Sequence, residues 1–335
     1  MDSLTHIALG ATIGVVVMRG RTAPWKAALV GAVCSTLPDL DVFLNHGDPV
    51  SNVTMHRGDS HALFWLTLLS PAVALLAAAV FRDLAQYRRW WLTAWLALVS
   101  HPLLDAFTVY GTQIARPFTD FPYGVGSIFI IDPLYTLPLI AGVIVALSLR
   151  NTTGWCWAVG GLVVSILYLG WGVLMQNHVT RLAQNALRAQ GVETNRLLVT
   201  PTAFNSILWR IVAVTPDTYL EGFHSLLDRD RNIAFDSFPR GTELEAAISG
   251  NRHVGLVARW TQGFYKLGDR NGRIVVTDLR MGQEPYYSFN FVIGQRQNPT
   301  IATVTPTRFR EQHDLRQGLP WLWRRMLGEK LPVPR

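Results

Sequence analysis

The stretch HRGDSH, residues 56–61, sets two imidazoles, a guanidinium and a carboxylate within six residues, just before an apolar run. HPLLD, residues 101–105, spaces His101 and Asp105 four apart, which brings both to one face of a helix. LPDLD, residues 37–41, supplies Asp39 and Asp41, while His6 and Asp132 stand at the edges of two further apolar segments. Imidazole and carboxylate together suit zinc, manganese, iron or nickel, and the lack of a nearby cysteine argues against a thiolate site. Gly58 leaves HRGDSH free to bend so that His56 and His61 converge. In a regular helix Asp39 and Asp41 would diverge by about 200°, so one of them is expected to orient a ligating histidine rather than bind the ion. The candidate ligands are therefore His6, Asp39, Asp41, His56, His61, His101, Asp105 and Asp132, more than a single structural zinc uses. The expected cofactor is a divalent metal, zinc first with manganese or iron as alternatives, as one or two ions. Such an ion activates water and clamps the charge that develops on an ester or phosphoester. Arg57 and Asp59 are the catalytic candidates. Arg57 has the geometry to hold a phosphate bidentately; the competing reading makes it an anchor to lipid phosphates.

These groups must be positioned by elements with the composition of membrane helices. Only 16% of the 335 residues are charged, against about 25% in soluble domains, and 12 are Trp. Residues 3–18, 26–44, 61–81, 90–107, 128–149 and 155–175 read as six spans, since about 20 mostly apolar residues cross a bilayer. The first two are short and rich in Gly and Ala, so they form either a close-packed spanning pair or a re-entrant hairpin. The connections at one end carry Arg19, Arg21, Lys26, Arg82, Arg88, Arg89 and Arg150; those at the other carry Arg57 and Arg116. Positive charge marks the cytoplasmic side. The His and Asp candidates then gather at the opposite, outer end, although charge counting made no use of them. All nine acidic residues in 1–176 are Asp, balancing nine Lys/Arg, so the net +7 of the chain resides wholly in 177–335. The N-terminus lacks the basic region of a signal peptide and is expected to be retained.

The fold expected is a membrane all-α bundle of about six helices over 1–176, followed by a small soluble α+β domain with an antiparallel sheet over 177–335. Residues 177–190 read as a helix leaving the membrane. RLLVT, ILWRIVAV, HVGLVARW, RIVVTDLR, YYSFNFVI and IATVTPT read as strands, and DRNG at 269–272 as a hairpin turn. GLPWLWRRMLGEK near the end reads as a helix lying on the membrane, anchored by Trp321 and Trp323. His178, His224, His253 and His313 read as ordinary surface histidines, and the HSLLD at 224–228 as a chance copy of HPLLD. Cys34 and Cys156 are expected to be unpaired. No basic block is interleaved with aromatics, so nucleic acid is not an expected partner.

DSLTH, LPDLD, HRGDSH and HPLLD, in that order and spacing over residues 1–135, resemble the YdjM-like family of predicted membrane-bound metal-dependent hydrolases. FNSILWR and TDLRMG in the tail look like the extension of its longer members. The resemblance implies metal ligation by His6, Asp39, His56, His61, His101 and Asp105, with Ser60 where Thr or Ser is usual, and an integral inner-membrane protein. The expected function is a membrane-embedded hydrolase acting through a metal-activated water on an ester or phosphoester near the headgroup plane. Its partners are membrane lipid and an amphiphilic or small-molecule substrate, and its metal site and C-terminal domain face the periplasm. The alternative is a non-catalytic protein in which metal staples the helix ends and the outward domain binds an envelope partner. A proton or ion pathway requires acids through the depth of the bundle, and the inner halves of these spans have none.

Overall fold

A computed structural model describes residues 1–297, 300–311 and 314–335; His313 lies outside the described residues. The chain divides into two compact units, one of Met1–Phe43, Arg57–Val173 and Ala203–Asn205, the other of Leu44–His56, Leu174–Thr202 and Ser206–Arg335.

The first unit is helical. It contains α1 (Ser3–Met18) and α2 (Pro24–Thr36), which runs into a 3-10 turn over Leu37–Phe43. After α3 (Pro49–Met55), which groups with the second unit, come α4 (Leu63–Val80), α5 (Tyr87–Ala106), α6 (Pro133–Leu149) and the start of α7 (Thr152–Ala189). All six segments expected to span are thus helical over most of their length, but among the described residues only α4 and α7 are both long and apolar enough to cross a membrane. The 16 residues of α1 and 13 of α2 reach about 24 and 20 Å at 1.5 Å per residue. The helix α7 runs unbroken for 38 residues, through the expected domain boundary at 176.

Glycine makes the α1–α2 pair possible. A Cβ on Gly10 would fall 2.2 Å from the Gly31 carbonyl oxygen, and one on Gly31 would fall 1.9 Å from that of Gly10. Backbone therefore packs on backbone, the close approach that small residues allow in helical membrane proteins. The same device recurs where Gly161 meets the Pro138 carbonyl of α6. Asp2 caps α1 and Asp132 caps α6, each accepting a first-turn N–H.

The second unit carries β1 (Arg196–Pro201), β2 (Leu208–Val214), β3 (Thr218–Ser225) and β4 (Phe235–Pro239), which form one antiparallel sheet in the order β1-β2-β3-β4. After α8 (Arg252–Trp260) come β5 (Tyr265–Arg270), β6 (Arg273–Asp278), the two-residue pair β7 (Gly282–Gln283) and β8 (Tyr286–Tyr287), then β9 (Asn290–Gln297) and β10 (Thr300–Phe309). These build a second antiparallel sheet in the order β10-β9-β6-β5, and α9 (Leu315–Met326) closes the chain. Asn271 and Gly272, at φ 55° and 79°, make the tight β5–β6 turn expected from DRNG.

Three readings need correction. HVGLVARW is the helix α8, not a strand: Asn251 accepts from the N–H groups of His253 and Val254, and Val257 and Trp260, three apart, make its buried face. Trp321 on α9 is buried against Phe223, with ring centroids 5.1 Å apart, and is not open to a lipid surface, whereas Trp323 is 61% exposed. His224 is buried rather than superficial; its Nδ1 lies 3.3 Å from Asp228, whose carboxylate takes both Nη groups of Arg325. Cys34 and Cys156 are both free thiols.

Candidate metal centre

Asp39, His61, His101 and Asp105 converge within the helical unit, each offering one ligand atom, with those atoms all within 4.8 Å of one another. Asp39 comes from the 3-10 turn after α2, His61 from a short 3-10 turn ahead of α4, and His101 and Asp105 from successive turns of α5. The two Nε2 atoms lie 3.1 Å apart. Asp39 Oδ1 is 3.4 Å from each of them, and Asp105 Oδ2 is 3.5 Å from His61 and 3.4 Å from His101. An ion bound tetrahedrally at about 2.0–2.1 Å holds its ligand atoms about 3.4 Å apart. The residues present fit such an ion.

The hydrogen bonds behind the imidazoles decide what faces the centre. His101 Nδ1 is 2.6 Å from the Ser35 carbonyl oxygen, which accepts only, so Nδ1 carries a proton and, in the neutral ring, Nε2 the lone pair. Ser60 Oγ donates its one proton to Asp41 at 2.6 Å and therefore accepts from His61 Nδ1 at 2.8 Å, which leaves the His61 lone pair on Nε2 as well. Two imidazole lone pairs thus meet two carboxylate oxygens. Asp105 Oδ2 is buried with no hydrogen-bond partner. Such an arrangement is repulsive unless positive charge, a bound cation or a proton on an imidazole, sits among the four atoms.

Arg57 backs this group. Its φ is +64°, a conformation that costs an L-residue about 1–2 kcal/mol. In return its backbone N–H reaches Asp41 Oδ2 at 3.0 Å while its guanidinium lies 3.2 Å from Asp105 Oδ1. The guanidinium also packs over the Tyr110 ring at 4.7 Å and donates to Thr108 at 3.4 Å; its Nε is buried without a partner. His6 stacks on His101 with centroids 3.7 Å apart, and its Nε2 lies 3.2 Å from Asp105 Oδ1. The Met1 amino group also contacts that oxygen.

Other sequence candidates lie outside the four. Asp41 acts behind His61 through Ser60, the orienting role anticipated for one member of LPDLD. Asp132 caps α6 and accepts from Tyr168 at 2.9 Å. His56 ends α3, its N–H on the Asn52 carbonyl. The Asp59 side chain is 63% exposed and bound to Arg116 at 2.6 Å. Sequence reasoning overlooked the linking role of Ser60, for which its position next to His61 was the available signal. It also overlooked the Ser35 carbonyl, for which no side-chain pattern exists.

The cluster falls inside the part of the chain that is matched in known proteins. A family model described as YdjM inner membrane protein matches residues 1–179. Over 322 residues the chain is 26% identical to "Uncharacterized protein YfhP" of Bacillus subtilis (strain 168), covering 88% of this chain and 90% of that protein. Over 173 residues it is 27% identical to "Inner membrane protein YbcI" of Escherichia coli (strain K12), covering 49% of this chain and 95% of that protein. No solved structure matches.

Proposed function

We propose, since the chain belongs to the YdjM inner membrane protein family, that Asp39, His61, His101 and Asp105 hold a divalent ion, zinc by ligand type, in a membrane-embedded hydrolase. Membership carries membrane localisation with it. The substrate is an ester or phosphoester of an amphiphile, cleaved near the headgroup plane. The observation that carries this reading is the pair of facing Nε2 lone pairs, each fixed from behind by a hydrogen bond at Nδ1.

A bound ion of this class supplies a Lewis acid and lowers the pKa of a coordinated water. The protein's own groups would do the rest. Ser60 and Asp41 hold the His61 ring in one tautomer and one orientation. Arg57 offsets the charge of Asp105, beside which its guanidinium lies. Asp39, 22% exposed at its side chain, is the open edge of the four. Around it the turn alternates: Leu40, Val42 and Phe43 are 50%, 66% and 82% exposed. Large apolar side chains turned outward beside inward carboxylates suit a site at the boundary of hydrocarbon and headgroup.

The finer topology belongs to this reading too. Six spans, with the cluster and C-terminal domain on the periplasmic side, agree with the alternation of helix ends. His6, Asp39, His61 and His101/Asp105 stand at one end of α1, α2, α4 and α5, and Arg19, Lys26, Arg82, Arg88 and Arg150 at the other ends of these helices and α6. One observation favours the non-catalytic alternative: four protein ligands close a tetrahedron, as in structural zinc sites. Elemental analysis of the purified full chain, wild type against His61→Ala and His101→Ala, tests the ion. A screen of phosphodiester and carboxylester amphiphiles in nanodiscs tests the chemistry. Metal retained in both variants sinks the site; metal lost with no turnover of any ester in the wild type leaves the staple.

A further inference from the structure

The two ends of α1 differ in chemistry. His6 lies in its first turn, whereas its last turn opens onto a cavity of about 320 Å³, with Arg19, Arg150, Asn151, Thr152 and Trp155 among its lining residues. Arg19 and Arg150 cap α1 and α6 and both adopt left-handed φ values, 42° and 53°. The Arg19 guanidinium stands 4.8 Å over the Trp155 ring, and Trp155 is itself tied to the Val16 carbonyl at 3.1 Å. Arg150 uses only its Nε, on the Leu147 carbonyl at 3.2 Å. No acidic side chain lines the cavity, and neither guanidinium has a carboxylate partner among the described residues. Arg116, Arg324 and Arg335, by contrast, pair with Asp59, Glu329 and Asp236.

Two like charges brought to one cavity without a counter-ion call for an anion. The geometry points to a second ligand site here, one that binds the phosphate of a membrane phospholipid. Guanidinium groups match phosphate oxygens in shape and charge. Val15, Met18, Ala27 and Ala146 give the same cavity an apolar floor, which suits the glycerol and first methylenes of a lipid and offers nothing to inorganic phosphate. By the charge topology the cavity faces the cytoplasmic leaflet, where anionic lipid is attracted by about 1 kcal/mol per arginine. The site rests on the proposed membrane orientation but not on the metal chemistry.

The test uses the full chain in detergent, titrated with phosphatidylglycerol, phosphatidylcholine or inorganic phosphate and read by native mass spectrometry. Arg19→Gln and Arg150→Gln are each expected to weaken phosphatidylglycerol binding about fivefold, and the pair about 25-fold. Arg188→Gln, which removes an exposed charge outside the cavity, is expected to leave it unchanged. Metal content and melting temperature, followed in parallel, exclude misfolding and keep the result separate from the metal centre. Equal lipid binding in wild type and the double variant overturns the site. Tight binding of inorganic phosphate with no preference for the lipid overturns the lipid assignment.

Discussion

Each unit buries a knot of ionisable side chains, and the two knots are built on opposite principles. In the sheet unit Arg210 meets Glu221 at 2.6 Å and the Leu279 carbonyl at 2.8 Å, while Lys266 and the Tyr219 hydroxyl both donate to Glu284. Every cation there faces an anion, and each hydroxyl has an acceptor. In the helical unit four acceptor atoms face one another, and an oxygen of Asp105 stays unbonded. A satisfied network is complete as it stands; an array of lone pairs asks for a cation. Both knots are ionisable and largely buried, so what separates a structural knot from a candidate ligand site is the sense of its hydrogen bonds.

The most damaging way to probe the contrast is His101→Ala, expected to abolish metal retention, read by elemental analysis, while the sheet unit keeps its hydrogen-exchange protection. Arg210→Met is the converse. Leaving Glu221 buried and alone is expected to cost about 3–5 kcal/mol, measured by denaturant unfolding, with metal content unchanged. Adding Glu221→Leu is expected to restore most of that loss, because an apolar pair needs no partner; failure of this rescue would show that the network is more than a self-satisfied knot. Ser60→Ala, which cuts His61 from Asp41, is expected to lower metal affinity about 10- to 100-fold, with Ser60→Thr near wild type in a competition titration.

The smallest effect concerns acid. Burial works against the charged form of Asp228, but hydrogen bonds from His224 and Arg325 outweigh it and hold the carboxyl below its ordinary range. A depressed carboxyl stabilises the fold above its unfolded pKa, about 3.9, and that contribution fades as pH falls below this value. Docking of α9, followed by Trp fluorescence, is expected to loosen below about pH 4, and Arg325→Met to weaken docking already at neutral pH and flatten that dependence on acid.

Much of the candidate metal centre was legible because its chemistry is written in side chains at short spacing. HPLLD on a helix fixes the relation of His101 to Asp105 whatever the rest of the fold does. HRGDSH was only half legible: a left-handed Arg57 and two short turns separate the fates of His56 and His61, and no residue type in the hexapeptide announces that. LPDLD gave two acids with one role each but not their order, since a 3-10 turn sets their directions. The strands β1, β2, β6 and β10 followed from β-branched runs, whereas HVGLVARW has strand-like composition and became helical because Asn251 caps it. Helix lengths resisted most. Apolar composition marks α1 and α2 as buried, but at 16 and 13 residues they fall short of the length that distinguishes a spanning helix from a core helix.

The glycine contact between α1 and α2 has a bearing on how the centre works. Two backbones locked carbonyl to Cα have no side chains between them to reshuffle, so the hairpin moves as one stiff lever whose tips are His6 and Asp39. A single methyl added at Gly10, one turn from His6, would be transmitted along that lever as a displacement at the tips. The precision of the centre is thus set partly by two residues that have no chemistry of their own.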